Sequence, residues 1–72
     1  MPMAWIEALI AINEEIVACE RRFQAQCAKV VEKAANGQDA AEDEMLLGSY
    51  KISLILVRAH RDSLLADVPT DA

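Results

Sequence analysis

The chain has 72 residues, of which 54% are hydrophobic and 26% are charged, and its formal net charge is −5. This composition argues against an intrinsically disordered segment. The acidic balance also argues against a nucleic-acid-binding protein, which usually has a surplus of basic residues. A single core in a chain of this size contributes only about 3–5 kcal/mol unless a disulfide, a metal or a partner adds to it. We therefore expect one domain, residues 1–72, that gains part of its stability from another source.

Apolar residues at alternating spacings of three and four predict a first helix over residues 4–35. Its stripe comprises Leu9, Ile12, Ile16, Cys19, Phe23, Cys27, Val30 and Ala34. Cys19 and Cys27 are about 12 Å apart along such a helix, so they cannot bridge each other. Unpaired cysteines are typical of a reducing compartment, and the sequence shows neither a signal peptide nor a membrane-spanning stretch. These features predict a cytoplasmic protein with no membrane partner.

The sequence between residues 36 and 42 predicts a sharp turn and a new helix. Asn36 and Gly37 tolerate the left-handed conformation that closes a helix. Asp39 as N-cap and Glu42 three residues later have the spacing of a capping box, which starts a second helix over about 40–66. Because few residues remain for the connection, the two helices must be antiparallel neighbours. The predicted fold is an all-α antiparallel two-helix hairpin.

The second helix has two apolar stripes, and a single partner helix can cover only one of them. We expect the first stripe to face helix one, with Phe23 opposite Ile52; it comprises Met45, Gly48, Ile52, Ile55 or Leu56, Ala59 and Ser63. The second stripe, which has nothing left in the chain to cover it, comprises Leu47, Tyr50, Leu54, Val57, Leu64 and Val68. Exposed apolar patches of this size normally mark interaction sites. We therefore expect a four-helix bundle or larger helical oligomer, formed by self-association as a dimer or with a helical protein partner.

The candidate partner-binding residues follow from this assignment, with one addition near the start of helix one. They are Trp5, Leu47, Tyr50, Leu54, Val57 and Leu64. Trp5 is included because tryptophan is enriched among the residues that dominate binding energy. An alternative for Trp5 is packing over Leu9 at the end of the bundle.

The densest group of polar residues predicts interhelical ion pairs between Glu14 or Glu15 and Arg58 or Arg61. An alternative interpretation joins a glutamate to His60 as half of a di-iron-type metal site completed by a second chain. Such sites use Glu-x-x-His, whereas Val57 stands three residues before His60. No catalytic Ser/His/Asp or Cys/His set can be assembled with one histidine. We therefore expect neither an enzyme nor a cofactor.

The turn Asn36-Gly37-Gln38-Asp39 and the segment Tyr50-Lys51-Ile52-Ser53-Leu54-Ile55 give the chain a resemblance to a known family. From Asn13 to Leu65, the layout of two helices around this turn resembles the small helical co-chaperones of type III secretion needle proteins. The resemblance implies a hairpin that holds a larger helical partner and shields a polymerisation-prone subunit together with it. It supplies no catalytic residues.

The sequence thus favours a non-enzymatic protein-interaction module, an adaptor or co-chaperone-like hairpin that binds through apolar helix faces. A first alternative is a small acidic inhibitor of phage or mobile-element origin. It would block a basic site on a larger enzyme through Glu42, Asp43 and Glu44. A second alternative is a carboxylate and histidine metal-binding bundle. The sequence leaves open the partner, the host, the stoichiometry and the biological process.

Overall fold

The computed structural model describes residues 3–69, which form two helices joined by a short turn. Helix α1 spans Met3–Ala35 and helix α2 spans Ala41–Ala66. The helices pack against each other along their length, and no strand occurs in residues 3–69. The predicted all-α hairpin is confirmed, with helix boundaries within one residue of those expected.

The end of α1 is closed by a glycine in the left-handed conformation. Gly37 has a φ of 67°. The amide of Gln38 donates to the carbonyl of Lys33 at 2.8 Å, and the amide of Gly37 donates to that of Ala34 at 3.2 Å. These two bonds form a Schellman motif, which satisfies carbonyls left without partners at the helix end. The predicted turn at Asn36-Gly37 is therefore confirmed.

The start of α2 differs in detail from the predicted capping box. The side chain of Asp39 accepts a hydrogen bond from the amide of Ala41 at 2.9 Å, so it does cap the first turn. The N-cap position itself belongs to Ala40, which makes no side-chain cap, and within the described residues the amide of Asp39 donates no hydrogen bond to the Glu42 carboxylate. The carboxylates of the first turn still stabilise the helix, because they lie at the positive end of its dipole.

The core is a thin seam between the two helices. Ile16, Cys19 and Leu54 form its buried cluster, with Val57 packed against it. The chain measures 61 × 14 × 12 Å and its radius of gyration is 16.9 Å, against about 11 Å for a compact domain of this length. No hydrophobic side chain within residues 3–69 is completely excluded from solvent. Cys19 and Cys27 are both free thiols, as their spacing predicted.

The expected assignment of faces on α2 is wrong. Leu54 is 6% exposed and faces α1, whereas Ile52 is 60% exposed and points away from it. Side chains two positions apart on a helix point about 200° apart, so the whole helix is turned half a revolution from the expected orientation. Phe23 accordingly lines a groove with Leu54 and not with Ile52.

The small residues expected at the helix contact also lie outside it. Gly48, Ala59 and Ser63 are exposed, and a Cβ added at Gly48 would meet no atom within 4 Å. The helices therefore approach each other through larger side chains, and the small residues belong to the solvent side of α2.

Candidate protein interface

The side of α2 that points away from α1 is uncharged and mainly apolar. We call it the outer face of α2; it comprises Ala41, Met45, Gly48, Ile52, Ile55, Leu56, Ala59 and Ser63, all of them exposed. The three- and four-residue spacings keep these positions on one side of the helix, and none of them is charged. Met45 is 75% exposed and Leu56 is 64% exposed, which is unusual for side chains of this size on a monomer. The outer face is the strongest candidate interface in residues 3–69.

The outer side of α1 is different in composition. Its large exposed apolar side chains are Met3, Ile10, Val17 and Val31, which lie seven or fourteen residues apart. Exposed charged residues such as Glu7, Glu14 and Arg21 occupy the turns between them. Isolated apolar residues on a charged surface are normal, so this side of the hairpin does not form a comparable patch.

Most of the residues predicted to bind a partner instead pack within the chain. Leu54 is buried in the core cluster and Val57 packs against it. Leu47, Tyr50 and Leu64 are half-buried on the same side of α2. Their assignment to a partner depended on the expected orientation of α2, which the structure contradicts. Val68, by contrast, is half-exposed beyond the end of α2.

Trp5 is tied to the other helix. Its indole Nε1 donates a hydrogen bond to the backbone carbonyl of Leu64 at 2.9 Å. That carbonyl lies in the last turn of α2, where carbonyls have no amide partner within the helix. The half-buried indole therefore helps to close the end of the hairpin, in line with the alternative that placed Trp5 at the end of the bundle.

A polar cluster that was not predicted from the sequence lies at the opposite end, next to the turn. Gln26 is 3% exposed, and its amide Nε2 donates to the backbone carbonyl of Asp43 at 2.9 Å and to its Oδ1 at 3.0 Å. The other carboxylate oxygen of Asp43 forms an ion pair with Lys33. A signal was present in the sequence, because Gln26 lies three residues after Phe23 and four before Val30, and a buried amide at such a position requires a polar partner on α2.

This cluster shifts two ionisation equilibria. The hydrogen bond from Lys33, and then that from Gln26, holds the pKa of Asp43 below its ordinary value of 3.8. The same hydrogen bond raises the pKa of Lys33 above 10.5. Both shifts favour the charged forms, so Asp43 is engaged within the chain and is not free for a partner. Glu42 and Glu44 remain exposed beside it.

The predicted interhelical ion pairs are only partly right. Arg58 does reach across to α1, but its partner is Glu20, at 3.5 Å. Arg61 lies 4.0 Å from Asp62 on its own helix. No ion pair within residues 3–69 involves Glu14 or Glu15. Exposed pairs of this kind contribute about 0–1 kcal/mol each.

The described residues form shallow grooves between the two helices. Three shallow grooves have volumes of about 200, 240 and 250 Å³, below the roughly 300–1,000 Å³ of ligand pockets. Within residues 3–69, no three histidine, cysteine, aspartate or glutamate side chains are close enough together to hold a metal ion. Neither described helix is long and apolar enough to cross a bilayer.

No family model matches the chain, and no curated protein or solved structure is significantly similar to it.

Proposed function

We propose that this protein is a non-enzymatic interaction module, an adaptor or co-chaperone-like hairpin that binds a helical surface through the outer face of α2. The observation that supports this proposal is the exposure of Met45, Ile52, Ile55 and Leu56 on one uncharged side of a regular helix. Covering such a stripe with another helix removes apolar surface from water, at roughly 25 cal/mol for each Å². The thin core supports the same proposal, because a two-helix seam leaves much of the hairpin's stability to be supplied by a partner.

The mode of binding would be that of a helix packed on a helix. The outer face has large residues spaced by about one turn, with Gly48 and Ala59 between them, so side chains of a second helix can insert beside the backbone. Neither the hydrogen bond at Trp5 nor the cluster at Gln26 has to open for this contact. The hairpin can therefore bind without rearranging its own core.

The proposal is tested by attaching a tag to the protein and measuring which partner proteins it captures. Leu56→Glu places a carboxylate in the middle of the outer face, and we expect it to abolish capture. The matched control is Ala25→Glu, which adds the same charge at an exposed position of α1. Equal capture by the parent, Leu56→Glu and Ala25→Glu would contradict the proposal.

The acidic-inhibitor alternative makes the opposite prediction. Neutralising the exposed carboxylates with Glu42→Gln and Glu44→Gln would then abolish capture, whereas Leu56→Glu would not. The pair of experiments therefore separates an apolar docking surface from an acidic one.

A further inference from the structure

We infer that the outer face of α2 is covered by a second copy of this chain, with the two α2 helices antiparallel and related by a two-fold axis near Ile52. This inference rests on the proposed function, because it names the partner of the same surface. Three independent properties of the face support it: the distribution of side-chain sizes, the distribution of charge, and the area.

Side-chain sizes along the face are self-complementary in the antiparallel direction. With Ile52 on the two-fold axis, Met45 of one copy comes level with Ala59 of the other, and Leu56 comes level with Gly48. In both pairs a large exposed side chain meets a small one. A Cβ added at Gly48 would meet nothing within 4 Å, so this position has room for an incoming Leu56 side chain. In a two-fold dimer every contact between two different residues occurs twice. The contact between Met45 and Ala59 and the contact between Leu56 and Gly48 are therefore each made at two places.

Charges at the borders of the face select the same direction. The first turn of α2 is acidic, with Glu42 and Glu44 exposed, and the later part of the helix has Arg58, His60 and Asp62 exposed. An antiparallel arrangement brings the acidic turn of each copy level with residues 58–62 of the other, a segment of mixed charge that contains Arg58 as well as Asp62. A parallel arrangement would place the two acidic turns side by side. Antiparallel packing also opposes the helix dipoles.

The area of the face is sufficient for a weak, specific dimer. From residue 41 to residue 63 the face is about 33 Å long, and half the circumference of a helix 10–12 Å wide gives on the order of 500 Å² per copy. Two copies then bury on the order of 1,000 Å², which is the lower limit for a specific interface. Each copy keeps its α1 on the far side, so the product is a four-helix layer with the two α2 helices in the centre.

Sedimentation equilibrium from low to high micromolar concentration measures the assembly directly. We expect the parent to reach the mass of two chains. We expect Ile52→Glu to raise the dissociation constant by roughly 100-fold or more, because it places two facing carboxylates in an apolar contact. Ala25→Glu should dimerise like the parent. A parent that sediments as a monomer throughout, or an Ile52→Glu protein that dimerises normally, would overturn the inference.

Cysteine cross-linking tests the direction. Met45→Cys and Ala59→Cys are prepared as separate proteins with tags of different mass, then mixed and oxidised. The antiparallel dimer predicts a mixed disulfide between the two variants, joining position 45 of one to position 59 of the other, and little of either self-linked product. Two copies of position 45 would be about 21 Å apart, far beyond disulfide reach. The parent, which keeps Cys19 and Cys27, measures the background. A self-linked Met45→Cys protein as the main product would show a parallel dimer and contradict the inference.

The two proposals fail in different ways. If the parent is monomeric but Leu56→Glu still abolishes capture of another protein, the outer face is an interface and the second-copy inference alone is wrong. If Leu56→Glu changes neither self-association nor capture, the proposed function is wrong as well.

Discussion

Trp5 and Leu64, which are 59 positions apart in the sequence, are joined by a hydrogen bond of 2.9 Å from the indole Nε1 to the backbone carbonyl. The bond gives a partner to a carbonyl of the last turn of α2. It also fixes where the start of α1 lies against the end of α2. The tryptophan is therefore as much a helix-capping residue as a packing one.

Replacing Trp5 with Phe tests this role, because it keeps an aromatic ring and removes the donor. We expect the free energy of unfolding to fall by about 0.5–1.5 kcal/mol. Chemical denaturation followed by circular dichroism, at one fixed protein concentration, measures the change. The control is Tyr50→Phe, since the Tyr50 hydroxyl makes no hydrogen bond within residues 3–69. Equal stability of Trp5→Phe and the parent would rule out a contribution from the indole bond.

Gln26→Ala should be among the more destabilising polar-to-alanine changes in the chain. It removes two hydrogen bonds from a side chain that is almost completely buried and leaves a small void beside Asp43. We expect a loss of about 1–3 kcal/mol in the free energy of unfolding. Gln24→Ala, two residues earlier and exposed, should change it by less than about 0.5 kcal/mol. Similar values for the two variants would contradict the assigned role of Gln26.

The ion pair of Asp43 and Lys33 predicts how stability depends on pH. The pKa of Asp43 is lowered in the folded state, so its contribution is complete above about pH 4 and is lost as the pH falls through the folded-state pKa. The pKa of Lys33 is raised, so its contribution is complete below about pH 10 and is lost as the pH rises through the folded-state pKa. Melting temperatures across this range should fall at both extremes. In Asp43→Asn the melting temperature should fall less at both extremes of pH. The same dependence of melting temperature on pH in the variant and the parent would contradict the prediction.

The two glycines should respond to alanine with opposite signs. Gly48 is in the middle of α2 with open space around its Cβ position, so Gly48→Ala should stabilise the isolated hairpin by about 0.5–1 kcal/mol. Gly37 has a φ of 67°, and Gly37→Ala should destabilise it by about 1–2 kcal/mol. Thermal denaturation at low protein concentration separates the two effects. If Gly48 also receives Leu56 of a second copy, Gly48→Ala should at the same time weaken dimerisation.

Leu54→Glu should disrupt the fold, whereas Leu56→Glu should disrupt only association. Leu54 is in the buried cluster with Ile16 and Cys19, so a carboxylate there should unfold the hairpin and lower its helicity at every concentration. Leu56 is exposed on the outer face, so Leu56→Glu should keep the helicity of the parent and reduce only its association. Circular dichroism and sedimentation on both variants give the comparison. The reverse result would show that the outer face had been assigned to the wrong side of α2.

The sequence was sufficient for the elements of this fold but not for the rotation of α2. The turn at Asn36 and Gly37, with the periodicity on either side, predicts the hairpin because turn chemistry and helical spacing are local. The rotation depends on which of two similar apolar stripes faces α1, and Leu54 and Ile52 are equally hydrophobic candidates.

Polar residues decide which of the two apolar stripes of α2 faces α1. Gln26, which is buried on the inward side of α1, requires a polar partner, and Asp43 supplies one only when Leu54 faces inward.

The hydrogen bonds at Trp5 and at Gln26 stand near opposite ends of the hairpin, and together they prevent one helix from sliding along the other. The aliphatic seam between them would tolerate a displacement by one helical turn, about 5.4 Å, because methyl groups pack without strict direction. Hydrogen bonds do not tolerate such a displacement, because they weaken steeply as the distance grows and the angle departs from linear. A slide in either direction would break both bonds at once. These two bonds, together with the short connection between Ala35 and Ala41, therefore help to set the alignment at which the outer face is presented.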